Sequence, residues 1–476
     1  MFLYIKCEET VKMVASSFVY IFKSKEKIFE RCNIMKKHLL ALSAAAVLLA
    51  PNAVGAEGFS INEWSAEGFA MGGARMFAEN DAANMAYNPA SLTKIKGEVA
   101  KISATYISPH GKYKVYGDNV DLADRAGICA SEGRNRVHPA WAPGSYYVKQ
   151  MNDKEWLGFG AYSRFGNSCQ FEPGSFPGVN NTSSKINGMS IGVNYAKKLD
   201  TKWSASLGAE VNYAWLQVDK TLPTAALAQN MFGNMQIEGE SYALGWNAAA
   251  NYAFDDKNEF GIVYRSAVNH SMEANLRAYN YMAHQAGGAP GVGSFASGEA
   301  YGCVTLPESV MIGYGHKFND KTRVELNGTW TRWSRFDALN MTFTPPGAPN
   351  GYHPDPKNWK DGWRYAIGVE HKLSDKYSLL GGIAYDESAI PDYYGEGSTP
   401  GADFMVPTGT RTTFTIGTQY HDEKQTVAFT LGFMKVGDLF IEGDGLDHDG
   451  GNKFYDRAKM HDSYTKMFSI SYQYNF

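Results

Sequence analysis

The sequence predicts an all-β fold: a transmembrane antiparallel β-barrel of about fourteen strands, with an N-terminal plug, or hatch, inside its lumen. Three observations predict it: short polar turns recur along the chain, the segments between them alternate apolar and polar residues, and no apolar run is long enough for a membrane helix. Of 476 residues, 14% are aromatic and 49 are glycine, and the mean hydropathy is −0.35. This composition is typical of membrane barrels, because their apolar residues alternate along each strand.

The short turns count the strands. Six turns that contain Asp or Asn and end in lysine lie at 151–154, 199–202, 254–257, 318–321, 373–376 and 420–424. Asp and Asn favour turns because their side chains hydrogen-bond the nearby backbone. Seven long stretches rich in Gly, Pro and Asp separate them, at about 109–138, 165–185, 217–240, 268–303, 337–361, 387–409 and 438–463. Thirteen connections join fourteen strands, and short turns at one rim with long loops at the other are the plan of an outer-membrane barrel.

The strands show the alternation of a sheet with one apolar face. Residues 203–215, 242–254 and 467–476 place apolar side chains at every second position, and successive side chains on a strand point to opposite faces. We expect the apolar face to meet lipid and the last strand, ending at Phe476, to pair with the first and to engage the barrel-assembly machinery. Aromatic residues near strand ends predict interfacial girdles: Trp156, Trp203, Trp215, Phe254, Phe260, Trp333, Trp363, Tyr377 and Tyr385.

The N-terminus carries the pattern of a secretory signal peptide at 35–56. Met35-Lys36-Lys37 is basic, 39–50 is apolar, and Ala56 ends a run of small residues suited to cleavage. Residues 1–34 are then an upstream extension, although the alternative is that 13–22 forms a short anchor. Export permits disulfides, so Cys129 and Cys169, in the first two long loops, are candidates for one.

Residues 57–97 break the strand pattern. Their mixture of Gly, Ala and Asn suits short helical turns and bends better than membrane strands. A larger barrel leaves an open lumen unless something fills it. The sequence therefore predicts a hatch at 57–97 and the transmembrane barrel at 98–476.

Composition and motifs narrow the function classes. A net charge of −4 argues against nucleic acid as a partner. The sequence contains no Gly-x-Ser-x-Gly, no His-Glu-x-x-His and no cysteine metal set, and the acidic residues near 438–449 match no complete calcium loop. We therefore expect no catalytic residues, no metal and no cofactor. An outer-membrane lipid-hydrolysing enzyme, a general porin and a soluble adhesin stay as alternatives.

Several ordered blocks resemble the long-chain fatty-acid outer-membrane transporters (FadL type), including related aromatic-hydrocarbon transporters. The blocks begin at Gly58-Phe59, Asp81-Ala82-Ala83-Asn84, Asn88-Pro89-Ala90, Gly245-Trp246-Asn247, Tyr264-Arg265-Ser266, Leu306-Pro307-Glu308, Asp361-Gly362-Trp363-Arg364 and Ala384-Tyr385-Asp386. The resemblance implies passive uptake of fatty acids or similar hydrophobic compounds across the outer membrane of a Gram-negative bacterium, with outer-membrane lipids and lipopolysaccharide around the barrel.

The same resemblance implies where substrate leaves the barrel. After binding, the hatch moves, and substrate exits sideways at a kink in the third strand, beside Asn88, Pro89 and Ala90. That strand is predicted at about 155–164, and Gly158 and Gly160 within it suit a bend because glycine weakens strand packing.

Candidate ligand contacts follow from alternation and position. Arg265 and Arg364 fall on the inward face with Glu210, Glu325 and Glu370, where they either brace the lumen as a charge network or bind a substrate carboxylate. Lys360, at the mouth of the strand that carries Arg364, and Lys220 are further candidate cations. In the hatch, Phe59, Ile61 and Trp64 either touch an acyl chain or pack the hatch against the wall.

Overall fold

The computed structural model describes residues 58–117, 120, 130–172, 175–223, 232–280, 298–344, 351–353, 355–393, 401–442 and 456–476. The predicted extension at 1–34, the signal peptide at 35–56 and Cys129 lie outside these residues.

The described strands form one sheet: β1 (Glu98–Tyr116), β2 (Glu132–Arg134), β3 (Ala140–Asn152), β4 (Glu155–Gln170), β5 (Ser183–Lys198), β6 (Trp203–Pro223), β7 (Phe232–Ala253), β8 (Asn258–Arg265), β9 (Val268–Asn280), β10 (Gly298–Leu306), β11 (Ser309–Lys317), β12 (Thr322–Thr331), β13 (Asn340–Phe343), β14 (Gly351–His353), β15 (Gly362–Lys372), β16 (Tyr377–Asp386), β17 (Arg411–His421), β18 (Gln425–Val436), β19 (Leu439–Glu442) and β20 (Arg457–Asn475).

Fourteen of these strands form the barrel wall. Each pairs antiparallel with the next in the order β1, β3, β4, β5, β6, β7, β8, β11, β12, β15, β16, β17, β18 and β20. The last strand then pairs with the first, from Val99 opposite Asn475 to Tyr116 opposite Arg457. The predicted closed barrel of fourteen strands is confirmed.

The short turns use the chemistry that their sequence predicts. The Asp255 carboxylate accepts hydrogen bonds from the backbone N–H groups of Lys257 and Asn258, both at 2.8 Å. Asp200, Asn319 and Asp422 make equivalent bonds. Each of these turns is therefore closed by hydrogen bonds between residues two or three positions apart.

The outer surface of the wall is apolar, as the alternation predicts. Leu207 is 62% exposed, Leu244 80% and Leu431 62%, while the residues between the exposed positions turn inward. Exposed aromatic residues include Trp203, Phe254 and Tyr377. The girdle prediction is wrong for Trp156 and Trp333, which are buried inside the barrel. No helix among the described residues is long and apolar enough to cross a bilayer.

The rim opposite the short turns carries more strand than the sequence suggested. Parts of the predicted long loops belong to strands, because β6 and β7 continue their pairing to Pro223 and Phe232, and β9 and β10 form a further hairpin on β7. Their composition, rich in Gly, Pro and Asp, favoured loops. Cross-strand pairing supplies the backbone hydrogen bonds that this composition does not predict.

Residues 58–97 form a compact segment before β1, with helices α1 (Ala66–Ala70) and α2 (Asn84–Tyr87) and a 3₁₀ helix at Pro89–Lys94. A third helix, α3 (Phe176–Asn180), and a 3₁₀ turn at Trp333–Arg335 lie between strands. The segment is buried almost throughout. Its backbone is held by inward side chains around the ring, from Ser103, Trp156, Ser204, Arg265, Asn327, Arg364, Thr415, Thr430 and Ser471. These contacts place the segment in the lumen.

Candidate functional site

Inward-facing glycines let the N-terminal segment approach the wall. A Cβ atom added to Gly382 would lie 2.2 Å from the backbone of Gly72, and one added to Gly368 would lie 2.6 Å from Met71. At Gly158 the added atom would lie 2.4 Å from the sulfur of Met85. Real Cβ atoms do not come so close, so these strands carry no side chain where the segment rests.

A buried network of charges connects the N-terminal segment to β1, β12 and β15. The Lys101 ammonium on β1 pairs with Glu67 at 2.9 Å and with Asp81 at 2.6 Å. Arg75 pairs with Asp81 at 3.0 Å and reaches Glu370 on β15 at 3.3 Å. The network continues to β12, where Arg323 binds Glu370 and Glu325. Buried charges persist when they are paired in this way, so the interpretation of Glu325 and Glu370 as structural is favoured.

Removing the central cation of this network is expected to destabilise the protein strongly. In Lys101→Met, Glu67 loses its partner and Asp81 loses its shorter ion pair, and breaking a buried pair costs about 3–5 kcal/mol. The measurement is the urea midpoint of unfolding from detergent micelles, followed by tryptophan fluorescence. Lys197→Met is the control, because Lys197 and Glu155 form an exposed pair on the outside that contributes little. Equal midpoints for the two variants would contradict the assignment.

The wall is interrupted between β3 and β4, the second and third wall strands. In the described residues, their pairing stops at Gly144 opposite Tyr162, although β4 continues to Gln170. Pro143, the next residue of β3, has no N–H to donate. The link before β3 reaches the end of β4, where the Arg136 N–H donates a hydrogen bond to the Gln170 carbonyl. Among the described residues, the edge of β4 between these points has no neighbouring wall strand on the β3 side.

The irregularity of the third wall strand lies beyond the predicted glycines. Pairing of β4 is regular at Gly158 and Gly160 on both sides, and the register shifts between Ser163 and Phe165. The expectation of a bend at the glycines is therefore wrong by several residues. The physical reason is that Gly158 and Gly160 make room for Met85, whereas an extra residue in the strand, Arg164, makes the bulge.

The start of the N-terminal segment occupies the free edge of β4. The Ile61 N–H donates to the Arg164 carbonyl and the Gly166 N–H donates to the Phe59 carbonyl, both at 2.8 Å. These bonds make Ser60 and Phe165 an antiparallel pair. The indole N–H of Trp64 also donates to a β4 carbonyl, that of Ser163, at 2.8 Å. The segment thus takes the place of the missing wall strand.

A cavity lies beside this junction. Its lining includes the predicted ligand contacts Ile61, Trp64 and Arg265, together with Arg164 and Phe165 of β4. The remaining lining comes from Ser60 and Asn62 and from residues of β8, β11 and β12 with the link before β11: Val263, Pro307, Ser309, Met311, Thr329 and Thr331. The cavity therefore combines an apolar surface with two guanidinium groups.

The two arginines share one carboxylate. Glu210 on β6 pairs with Arg265 at 2.8 Å and with Arg164 at 3.3 Å. The first of its oxygens also accepts hydrogen bonds from Tyr162 and Asn247. Arg265 is further engaged by the Ala86 carbonyl at 2.5 Å. Since two positive charges face one negative charge, this group of residues carries a net charge of +1 and favours an anion.

The other predicted contacts are placed elsewhere. Phe59 packs edge-on against Trp333, with ring centroids 4.9 Å apart, in a cluster with Phe165, Phe336 and Trp359. Arg364 is buried, pairs with Asp386 at 2.9 Å and donates to the Gly72 carbonyl at 2.7 Å, so it fastens the segment. Lys360 is exposed and Lys220 half-buried, and neither lines the cavity.

The predicted hatch residues form a turn that docks on the wall. The Asn88 side chain caps the 3₁₀ helix by accepting from the Ala90 N–H, and it donates to Asn251 of β7 at 2.6 Å. Pro89 is the first residue of that helix, where its fixed φ is suitable and no N–H is needed. Ala90 is buried, and its carbonyl accepts from Ser204. Leu92, in the same 3₁₀ helix, and Met85 both lie close to Gly158.

Sequence reasoning missed several residues of this region. Lys101 could have been found, because it occupies an inward position of β1 by the same alternation that identified Arg265. Arg164 sits at the bulge, where alternation fails. Arg75 and Asp81 lie in an irregular segment, where side chains do not alternate between two faces and the sequence therefore does not indicate their direction.

The mouth at the long-loop rim is narrowed by residues 401–409. The Asn181 side chain donates to the Phe404 carbonyl and Ser184 to the Met405 carbonyl, and the Lys357 ammonium pairs with Asp403 and with Asp355. Burial alone would lower the pKa of Lys357, but Asp403 and Asp355 hold that pKa above its ordinary value. A second cavity lies here, lined in part by Cys169, whose thiol is free and buried.

Comparison with known proteins identifies the family. Residues 47–476 match the family model described as outer membrane protein transport protein (OMPP1/FadL/TodX). The chain is 26% identical over 410 residues to the long-chain fatty acid transport protein of Escherichia coli strain K12, across 79% of this chain and 88% of that protein. It is 26% identical over 433 residues to outer membrane protein P1 of Haemophilus influenzae, across 81% and 87%.

Solved structures share the fold. A FadL homologue from Pseudomonas aeruginosa aligns with a TM-score of 0.75 at 18% identity, over 88% of this chain and 100% of that chain. The toluene transporter TodX of P. putida aligns with a TM-score of 0.64 at 17% identity, over 87% and 99%. The chain therefore belongs to the outer membrane protein transport protein family (OMPP1/FadL/TodX), the transporters of hydrophobic compounds in the outer membrane of Gram-negative bacteria.

Proposed function

We propose that this protein takes up long-chain fatty acids or similar hydrophobic acids by passive diffusion, and that residues 57–97 act as the hatch. The observation that carries the proposal is the interrupted wall: among the described residues, the edge of β4 that faces β3 has no wall strand beyond Tyr162, and residues 59–61 occupy that edge. When these residues leave that edge, the cavity beside them opens sideways. A hydrophobic molecule then passes from the cavity to the membrane without crossing the lumen.

The comparisons support this class of substrate. The related proteins include a long-chain fatty acid transport protein and a toluene transporter. The apolar lining of the cavity suits either kind of compound, whereas its two arginines suit a carboxylate. We therefore assign the acyl chain to the surface formed by Ile61 and Trp64, and the carboxylate to Arg164.

Arg164 is the better placed of the two cations. Within the described part of the chain, its guanidinium makes one side-chain hydrogen bond, to Glu210 at 3.3 Å. A guanidinium has five N–H donors, so several can turn to a ligand. Arg265 is committed to Glu210, to Tyr162 and to the backbone of the segment. Arg364 has a fastening role in this proposal rather than a role in ligand binding.

Substitution of Arg164 tests the substrate class. In Arg164→Gln, binding of a long-chain carboxylate should weaken roughly tenfold or more, because a hydrogen bond to a charged group contributes about 1.5–3 kcal/mol. Binding of the alcohol with the same chain should not change. Quenching of intrinsic tryptophan fluorescence in purified protein measures both. Arg164→Lys is the control and should retain part of the preference. An equal loss for acid and alcohol would contradict the assignment.

We also propose that transport proceeds without chemical change of the substrate. The family consists of transporters, and the charged groups of the cavity are engaged in ion pairs rather than arranged around a nucleophile. Labelled fatty acid recovered from cells or vesicles after uptake tests this point. Recovery of intact acid is expected, and a hydrolysed phospholipid in the same vesicles would favour the enzyme alternative.

A further inference from the structure

The outer surface changes character where β18, β20 and β1 meet at the seam of the barrel. Toward the short turns, the paired outward residues are apolar, with Phe429 opposite Ile470 and Leu431 opposite Phe468. Three of these side chains are exposed at 37–62%. They belong to the apolar band that faces lipid.

Directly beyond this band, the outward positions become basic. Lys466 lies opposite Phe433, Lys435 lies opposite Tyr464, and Tyr464 lies opposite His110 of β1. The two lysines are diagonal neighbours on paired strands, which places such residues about 7–8 Å apart. Both are exposed, so their ammonium groups can reach one anionic group.

Among the described residues, these two lysines differ from their neighbours in having no carboxylate partner. Farther from the band, Lys112 pairs with Asp462 at 2.9 Å and Lys459 with Asp438 at 2.7 Å. Within the residues that the structure describes, no carboxylate forms an ion pair with Lys435 or Lys466. The Lys466 ammonium instead lies 5.7 Å from the centre of the Tyr464 ring. In the part of the chain that the structure describes, this positive charge next to the membrane is therefore uncompensated.

The basic character is local. Across the barrel, the outward positions at the start of the long-loop extensions are acidic, with Glu240 opposite Glu273 on β7 and β9 and Glu299 on β10 exposed nearby. Solubility alone does not require basic residues on one side of the barrel and acidic residues on the other. The seam therefore has a preference for anions that the opposite wall lacks.

We propose that the seam binds a phosphorylated glycolipid of the outer leaflet, of the lipid A type. The long-loop rim of such a barrel faces outward, so Lys435 and Lys466 lie at the level of the lipid head groups. Lysines at this level bind anionic head groups, and one phosphate can bridge the two ammonium groups. The acyl chains lie along Leu431, Phe433 and Phe468. The His110 and Tyr464 rings, stacked with centroids 4.8 Å apart, provide a flat surface for a sugar.

The apolar band decides between the possible sources of phosphate. Inorganic phosphate gains only the two ammonium groups, whereas a lipid also buries acyl chains against the exposed apolar residues, which is favourable in proportion to the area removed from water. The two lysines are separate from the transport route, because they line neither the cavity beside β4 nor the second cavity, which His110 borders.

Lipid binding to purified protein in detergent micelles tests the proposal. Native mass spectrometry with bisphosphorylated lipid A measures the bound fraction for the wild type and for Lys435→Gln/Lys466→Gln. We expect the double variant to bind roughly 25-fold more weakly, because each of the two lysines near a membrane surface contributes about 1 kcal/mol, a factor of about five. Lipid A stripped of its phosphates should bind the wild type as weakly as the complete lipid binds the variant.

Lys372→Gln/Lys376→Gln provides the matched control. It removes two exposed lysines at a short turn on the opposite rim and should bind lipid A like the wild type. A similar loss in this control would overturn the proposal, and so would unchanged binding by the seam variant. Displacement of the lipid by millimolar inorganic phosphate would also overturn it, since the site would then be one for free phosphate. Heat-modifiable gel mobility confirms that each variant is folded.

Discussion

A disulfide between positions 60 and 165 should stop transport. Ser60 and Phe165 form an antiparallel pair flanked by two backbone hydrogen bonds. In such a pair the Cα atoms lie about 4.5 Å apart, which is within the range that a disulfide spans. Oxidation of Ser60→Cys/Phe165→Cys would fix the N-terminal segment on the edge of β4. If substrate leaves through this junction, uptake falls to the level of cells without the protein.

The same protein supplies its own control. Reduction should restore uptake, because the two cysteines then differ from the locked state only in the covalent bond. Ser60→Cys and Phe165→Cys alone, treated with the oxidant, show whether loss of the Phe165 ring or oxidation elsewhere affects transport. Uptake of a labelled fatty acid by cells that lack their own transporter is the measurement. Transport that persists with the disulfide fully formed would exclude this exit.

A methyl group at Gly382 should displace the N-terminal segment. Its Cβ atom would lie 2.2 Å from the nitrogen of Gly72 and from the carbonyl carbon of Met71, and backbone atoms cannot rotate away as a side chain does. Overpacking of this kind costs about 1–3 kcal/mol or more. We expect Gly382→Ala to lower the midpoint of the heat-induced gel shift and to produce steady ion conductance in planar bilayers, since the lumen is no longer filled.

The adjacent glycine is a matched control. A Cβ atom at Gly381 would have one neighbour within 4 Å, the Thr415 carbonyl oxygen at 3.9 Å, so Gly381→Ala makes an ordinary contact. The two variants carry the same change on the same strand, on opposite faces of the wall. Equal midpoints and equally low conductance would show that the segment does not rest on Gly382.

The strand count could be predicted from the sequence because the chemistry of a tight turn is local. Asp255 and Asn319 hold their turns with bonds to residues two and three positions away, so each turn can be read without knowledge of the fold. Alternation likewise placed Arg265, Arg364 and Glu210 on the inward face, and all three are buried. The period of a strand is a property of the backbone itself.

The break in the wall could not be predicted in the same way. It depends on the separation of β3 from β4 on the N-terminal side of Gly144, and on a segment distant in sequence that reaches the exposed edge of β4. Neither of these leaves a local pattern in the sequence. The glycines at 158 and 160 drew attention to the correct strand, but their role is to admit Met85. The role of Arg364 as a fastener also depends on a tertiary contact, the Gly72 carbonyl, which alternation cannot reveal.

The hydrogen bonds between residues 59–61 and β4 have a consequence for assembly. Backbone groups of β4 at 164–166 would face lipid unsatisfied if the segment were absent, and each such group is costly in a bilayer. The ring also closes where β20 pairs with β1, directly after the segment in the chain. The segment and the strand that closes the ring are therefore consecutive in the chain, and one continuous stretch, from the segment through β1, completes both the β4 edge and the seam.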